Sequence, residues 1–194
     1  VLTGRDFKKN SGNTVSFQPL LRLTIEMALM EAEFVTLINR HIGLIYKVCN
    51  IYCQHPEDRR DLFQEIVLQL WKGYASFRQE AQFSTWLYRV ALNTAISNFR
   101  KTIKNPHKIP LAEAGIDIPD PDSMGVVDEK VKRLYKAIEQ LSAIEKAMIL
   151  LHLDGCTYNE IAAIAGISNN NVGVKLNRIK TKLEKILTIY ANEF

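Results

Sequence analysis

Apolar residues recur three and four positions apart through most of this 194-residue chain, and that spacing constrains its fold more than any other feature. Between Ile25 and Gln54, the positions Phe34, Leu37, Ile38, Ile42, Ile45, Val48, Cys49 and Tyr52 keep it, as one helix or two in sequence. Residues 57–73 repeat it in a broad stripe of Leu62, Phe63, Ile66, Val67, Leu70 and Trp71. Residues 83–103 carry it from Phe83 and Trp86 through Val90, Ala91, Ala95 and Ile96. Segments 130–142, 143–154, 157–165 and 168–190 each read as a helix between short turn signals. No stretch shows the two-residue alternation of a strand. The expected fold class is all-α, with two small helical bundles.

What separates the bundles is charge and proline. Residues 1–26, 27–104, 105–129 and 130–194 carry net charges of +2, +3, −5 and +4. The acidic block holds one Lys against six carboxylates and four of the six prolines, Pro106, Pro110, Pro119 and Pro121. Proline removes backbone donors and keeps the preceding residue out of the helical region, so an extended linker is expected over 105–129. The domain division is then a mobile tail at 1–22, a helical domain at 23–104, the linker, and a second helical domain at 130–194. The chain opens on Val1, which fits an alternative start codon read literally or a true start at Met27 or Met30. No run approaches the ~20 apolar residues of a membrane span, and the N-terminus lacks a signal-peptide pattern. Three cysteines argue against a disulfide framework, and a cytoplasmic location is expected.

The most specific local signal runs from Thr157 to Ser168. Thr157 caps a helix while Glu160 reaches back to it, Gly166 ends that helix, and Ser168 opens the next. Ile161, Ala162, Ala165 and Ile167 supply small and apolar contacts for a close crossing, which is a helix-turn-helix. At 100° per residue, Val172, Leu176, Ile179 and Leu183 turn inward on the second helix. The opposite face presents Asn170, Val174 and Asn177, flanked by Ser168, Asn169, Asn171, Gly173, Arg178 and Thr181. Asparagine makes paired hydrogen bonds to adenine in the major groove, and a small apolar group suits a thymine methyl. Lys175, Arg178, Lys180 and Lys182 suit phosphates, which set register without reading sequence.

In the first domain, aromatic and cationic residues interleave over 74–104, a combination that suits unstacked bases and their backbone. Phe83 and Trp86 are expected mainly in the core, while Arg89, Asn93, Asn98, Arg100 and Lys101 are available to DNA, and the loop Phe77-Arg78-Gln79 suits a base-holding surface. On helix 57–73 the outer face carries Asp61, Gln64, Glu65 and Lys72 around Leu68, the pattern of an apolar anchor within a protein interface. Catalysis has little support. Cys49 and Cys53 fall within an apolar helical pattern, as small buried thiols do, and with His55 they are the only approach to a metal site. His41, His107 and His152 lie apart, and no Gly-rich phosphate loop is present. Neither an enzyme, a metal, a cofactor nor a small-molecule substrate is expected.

Over about residues 31–190 these features resemble the extracytoplasmic-function (ECF) group of bacterial RNA polymerase sigma factors. Asp61-Leu62-Phe63-Gln64-Glu65 with Leu68, Leu70 and Trp71 is similar to the family's core-polymerase-binding helix. Phe83-Ser84-Thr85-Trp86-Leu87-Tyr88-Arg89-Val90-Ala91-Leu92-Asn93, ending in Arg100-Lys101, is similar to its promoter-melting and minus-ten-reading segment. Leu141-Ser142-Ala143-Ile144-Glu145-Lys146 and Tyr158-Asn159-Glu160-Ile161-Ala162 are similar to its minus-thirty-five-reading domain. The resemblance implies that Asp61, Gln64, Glu65, Leu68 and Lys72 face the clamp helices of the polymerase's largest subunit. It further implies that the C-terminal domain sits on the flap of the second-largest subunit, that the linker runs through positively lined channels, and that an anti-sigma factor restrains the chain. Phe77, Arg78, Gln79, Trp86, Arg89, Asn93, Asn98, Arg100 and Lys101 would serve the minus-ten element. Ser168 to Asn171, Val174, Lys175, Asn177 and Arg178 would serve the minus-thirty-five element. Two departures stand out: Ser142 replaces a frequent proline, and Asn171 to Val174 replace a Thr-Val and Arg-rich pattern. The competing expectation is a stand-alone helix-turn-helix regulator with an N-terminal sensor or dimerisation bundle, which requires a dimer and palindromic half-sites.

Overall fold

The computed structural model describes residues 18–77, 82–104 and 129–192, and every regular element among them is an α-helix. In order these are α1 (Gln18–Tyr52), α2 (Pro56–Tyr74), α3 (Phe83–Lys104), α4 (Glu129–Glu139), α5 (Ala143–Leu153), α6 (Tyr158–Ala165) and α7 (Asn169–Asn192). The all-α expectation holds, and each periodic segment became a helix. The segment over 25–54 is part of one helix, and it begins at Gln18, within the stretch assigned to a tail. Pro19 permits this, since the first turn of a helix has no use for its amide donors. Of the linker expected at 105–129, only Glu129 is among the described residues, and it opens α4.

The chain divides after Leu37 into a unit of residues 1–37 and a unit of residues 38–194. In the first unit Phe34 is buried, whereas Leu21, Leu23, Ile25, Met27 and Leu29 are exposed. In the second, the C-terminal part of α1 buries Ile45, Val48 and Cys49, α2 buries Leu62, Phe63, Ile66 and Leu70, and α3 buries Leu87, Ala91, Leu92 and Ala95. Arg59 closes the α1–α2 turn by donating to the backbone carbonyls of Cys53 (3.1 Å) and Gln54 (2.8 Å), which the end of α1 leaves without intrahelical donors. Glu57 and Asp58 sit in the first turn of α2, where the helix dipole favours negative charge.

The C-terminal helices bury Ile138, Leu141, Met148, Leu151, Ile161, Val172, Leu176, Ile179 and Leu183. The inward face expected for α7 is therefore the one observed. At the crossing, Ile161 and Ile164 are buried, while Ala165, expected among the contacts, is exposed. Helices α5 and α6 also pack against α3, so both sets of helices share the second unit. Across this junction the Tyr52 hydroxyl donates to the Ala143 carbonyl (2.5 Å). Asp154 accepts hydrogen bonds from Lys47 and Tyr88. Lys146, only 4% exposed, donates to the Ile51 carbonyl (3.3 Å) and lies over the rings of Phe99 (5.0 Å) and Tyr52 (6.0 Å). Burial holds the Lys146 ammonium below its ordinary pKa.

Two reciprocal caps fix the C-terminal helices. Ser142 accepts from the Glu145 amide (3.4 Å), and the Glu145 carboxylate takes the Ser142 amide (2.8 Å). Thr157 and Glu160 repeat the arrangement at 3.3 and 2.7 Å. Ser142, where a proline was the familiar alternative, thus supplies a side-chain acceptor that proline lacks. Gly166 takes φ +67°, and the Gly166 amide donates to Ala162, as does Ile167 at 3.2 Å, so the chain reverses between α6 and α7 in a left-handed turn. Gly173 serves no such turn. A Cβ there would lie 3.5 Å from the Tyr158 ring, at ordinary contact distance.

Two outcomes follow for stability. Gly166→Ala should destabilise the chain by about 1–2 kcal/mol, the cost of a left-handed non-glycine residue, whereas Gly173→Ala should stabilise it by up to about 1 kcal/mol through helix propensity. Chemical denaturation of the two variants checks the opposite signs. Hydrogen bonds from the Thr157 backbone and side chain hold Glu160 below the ordinary value of 4.5. Burial pushes Glu145 up, but bonds from Ser142 and Lys182 outweigh it and leave its pKa lowered as well. Their contribution is present above the ordinary carboxylate value and is lost as pH falls through the lowered folded values. Glu145→Gln with Glu160→Gln should therefore lower Tm at pH 7, by an amount that shrinks as pH falls through the lowered values and the wild-type carboxyls protonate.

Candidate functional site

The exposed face of α7 is built by the same periodicity that buries its other side. Asn169, Asn170, Asn171, Val174, Lys175, Asn177 and Arg178 are all exposed, as is Ser168 ahead of the helix. Val174 is 50% exposed, an apolar group held in solvent among amides and cations. Asn169 donates its side-chain amide to the Asn159 carbonyl oxygen, which ties the start of α7 to the start of α6. The Tyr158 ring lies beside Gly173 and meets His152 edge-on with centroids 6.5 Å apart. Lys182, grouped by sequence with the phosphate-holding cations, is instead paired with Glu145 at 3.0 Å. Lys175, Arg178 and Lys180 remain on the exposed surface.

On α2, Asp61, Glu65 and Lys72 are exposed, Gln64 is half-buried and Leu68 is 44% exposed. These positions fall on one side of the helix, with the leucine at their centre as expected. Between α2 and α3 lies an open polar groove of about 750 Å³, lined by Asp61 and Glu65 from one helix and Asn93, Asn98 and Lys101 from the other. Sequence had assigned the first two to polymerase and the last three to promoter DNA, yet they share this groove. Glu65 also accepts from Gln69 at 2.7 Å.

The aromatics at the start of α3 form a cluster: the rings of Phe77 and Trp86 lie 4.9 Å apart, Phe83 is 5.7 Å from Phe77 and 5.5 Å from Trp86, and His41 is 5.2 Å from Phe83. A Cβ at Gly73 would come within 3.1 Å of the Trp86 ring, so the glycine lets that ring approach α2. Phe77 and Trp86 are half-buried in this cluster, whereas Arg89, Asn93, Arg100 and Lys101 are exposed and Asn98 is half-buried. Arg78 and Gln79 lie outside the described residues. Tyr88 and Phe99, which belong to the interleaved aromatic and cationic segment 74–104, turn toward Asp154 and Lys146.

Sequence placed Tyr52 only among the apolar helical positions and Lys146 only within the Leu141–Lys146 motif, and it did not mark Asp154 at all; none was read as a junction residue. For Lys146 the signal was a lone cation in the run Ala143–Leu153, otherwise apolar except for Glu145 and His152. For Asp154 no local signal exists, since its partners are distant in sequence. Burial pushes the Cys49 thiol up to about 12 and the Cys53 thiol up to about 11, which keeps both protonated at neutral pH and fits the reading of structural thiols.

Comparison with known proteins supplies the family. Sigma-70 region 2 matches residues 37–104, and Sigma-70 region 4 matches residues 132–183. The chain is 30% identical over 141 residues to the RNA polymerase sigma factor YlaC of Bacillus subtilis, covering 69% of this chain and 80% of that protein. It is 28% identical over 138 residues to the ECF RNA polymerase sigma-E factor of Escherichia coli, with 66% and 72% covered. Among solved structures, the sigma factor RpoE from Bartonella quintana, in complex with the anti-sigma factor NepR, has the same fold. Its TM-score is 0.62 at 20% identity, covering 81% of this chain and 98% of that one. CnrH, in complex with the cytosolic domain of CnrY, gives 0.60 at 19% identity, covering 82% and 90%. With region 2 and region 4 in order and the exposed faces of α2 and α7 in place, the chain belongs to the ECF group of sigma-70 family RNA polymerase sigma factors.

Proposed function

We propose that this sigma factor divides its work between two domains, residues 23–104 and 130–194, each engaging one promoter element. The exposed polar face of α7, held on a doubly capped helix-turn-helix, is the observation that supports this most directly. Its N-terminal turns enter the major groove of the minus-thirty-five element, where Asn170 and Asn177 meet base edges and Lys175 and Arg178 hold phosphates. The surface of α3 that carries Arg89, Asn93, Asn98, Arg100 and Lys101, with the 77–79 loop, takes the minus-ten element as it opens. Unstacking a base costs a few kcal/mol, and its capture offsets that cost without any chemistry from the chain.

Asp61, Gln64, Glu65, Leu68 and Lys72 dock on the clamp helices of the largest polymerase subunit, and the C-terminal domain on the flap of the second-largest. The linker at 105–129 follows the polymerase channels between them. Anti-sigma control is part of this reading, supported by the similar fold of RpoE from Bartonella quintana, captured with the anti-sigma factor NepR. A cytoplasmic site of action accords with it, and no helix among the described residues is long and apolar enough to cross a membrane. The chain acts by binding and is not an enzyme. The stand-alone regulator has no support from the paired region 2 and region 4 matches.

Run-off transcription with purified bacterial core polymerase on host genomic fragments tests the assignment. Asp61→Arg with Glu65→Arg should abolish co-elution with core and every added transcript, while binding to a minus-thirty-five duplex persists; unchanged core binding would overturn the role of α2. On that duplex, Asn170→Ala and Asn177→Ala should each cost about 1–3 kcal/mol and relax preference at one base pair. Lys175→Ala and Arg178→Ala should instead weaken all sequences alike and reduce the salt slope by about 1 each.

A further inference from the structure

Helix α1 begins well ahead of the region 2 match at residues 37–104, and its N-terminal turns belong to none of the surfaces described above. Within the first unit, which ends at Leu37, the positions Leu23, Met27, Met30, Phe34 and Leu37 follow one another at steps of four, three, four and three. Alternating steps of that kind line apolar groups along one side of a helix and make the seam by which two helices coil together. Phe34 is buried and Met30 and Leu37 are half-buried, whereas Leu23 is 56% and Met27 63% exposed. The seam is therefore covered toward its C-terminal end and open ahead of Met30.

A single exposed leucine needs no explanation. Here Leu21, Ile25 and Leu29 are more than half exposed as well, so the stretch 21–29 holds five large apolar side chains in water. Little within the helix offsets this, because the Arg22–Glu26 pair (2.9 Å) is solvated and contributes little. A helix apolar around so much of its girth is one that is covered when it works.

The flanks of the seam indicate what covers it. The positions beside it are Thr24, Glu26, Glu31 and Glu33, all exposed, with three carboxylates and no cation among them. When two helices coil together, flank meets flank. A second copy of this chain would set Glu26 against Glu31 in a parallel pair, and Glu26 and Glu33 against themselves or each other in an antiparallel one. Like charges thus meet in either direction. A lipid surface suits the stretch no better, since helices lying in the interface carry Lys and Arg on their polar face and are drawn to anionic headgroups, which these carboxylates repel. A helix with Lys or Arg on both sides of an apolar seam meets both demands.

We propose that the N-terminal turns of α1 dock a helix of another protein, one whose apolar seam is flanked by Lys or Arg, with Leu23 and Met27 as the anchors on this side. The apolar anchors supply most of the affinity, and Glu26, Glu31 and Glu33 select the partner and its register. The seam lies ahead of region 2, through which core polymerase is met in the reading above, so the partner is a protein other than the core. Promoter recognition plays no part in the argument.

The probes are two labelled heptad peptides with Leu at every seam position, one with Lys and one with Glu at the flanking positions, titrated against the full chain by fluorescence anisotropy. The Lys-flanked peptide should bind one to one and more weakly as salt rises, and the Glu-flanked peptide should not bind. Leu23→Gln with Met27→Gln keeps helix propensity and should weaken binding by about tenfold or more, with helicity and co-elution with core polymerase as in the wild type. Glu31→Lys with Glu33→Lys should reverse the preference between the peptides. If the wild type binds both peptides equally, or neither, the proposal is overturned, and so it is if the Leu23 and Met27 variant alone loses co-elution with core. Sedimentation of the wild type as a dimer that this variant returns to a monomer would assign the surface to a second copy. Binding of the wild type to lipid vesicles, lost in the same variant, would assign it to a membrane; either result overturns the partner helix.

Discussion

An eight-residue helix has no independent stability in water, and α6 is that short. It persists because Ile161 and Ile164 are buried in the core shared with Val172 and Leu176 of α7, and because Thr157 and Glu160 satisfy its first amides. The left-handed turn at Gly166 sets the crossing, and the crossing decides which side of α7 faces water. The presentation of the exposed asparagines of α7 therefore depends on a short helix being held at one angle. The same dependence runs through α5, where Ser142 and Glu145 fix the start of the helix that meets α3.

A second constraint is how polar groups are handled at helix ends and between helices. Arg59 occupies carbonyls at the end of α1, and Lys182 extends the Glu145 cap toward α7. These charged groups are consumed by structure. What remains exposed on α7 is mostly amides with selected cations, and on α2 a leucine among carboxylates, amide and lysine. The two surfaces differ in chemistry as the partners proposed for them do: grooved, negatively charged duplex for one and folded protein for the other.

Much of this was legible in sequence wherever the signal is local. The 3.6-residue period placed all the helices, the Thr157–Glu160 spacing gave the cap, and the rotation of α7 separated Val172, Leu176, Ile179 and Leu183 from Asn170, Val174 and Asn177. Ser142 and Glu145 have the same spacing, yet sequence marked Ser142 only as a departure from a frequent proline, and the cap came with the structure. What sequence did not show depends on contacts between distant residues. The roles of Tyr88 and Phe99 stayed open between core and bases, because an aromatic beside a cation looks alike whether its face meets a nucleobase or a buried lysine. Lys182 read as a phosphate ligand because its carboxylate partner is far along the chain. Asp61 and Lys101 were given to separate partners, and only the packing of α2 on α3 brings them to one groove.

Two thiols, Cys49 on α1 and Cys53 just past its end, bear on how such a factor meets oxidants. A thiol with a pKa near 12 is ionised in about one molecule in 10⁵ at pH 7, and only the thiolate attacks a peroxide, a disulfide or an electrophile at useful rates. Burial thus disfavours the thiolate at Cys49 and Cys53, and it shifts Cys156 in the same direction. Little thiolate is therefore offered to an oxidant at the C-terminal end of α1.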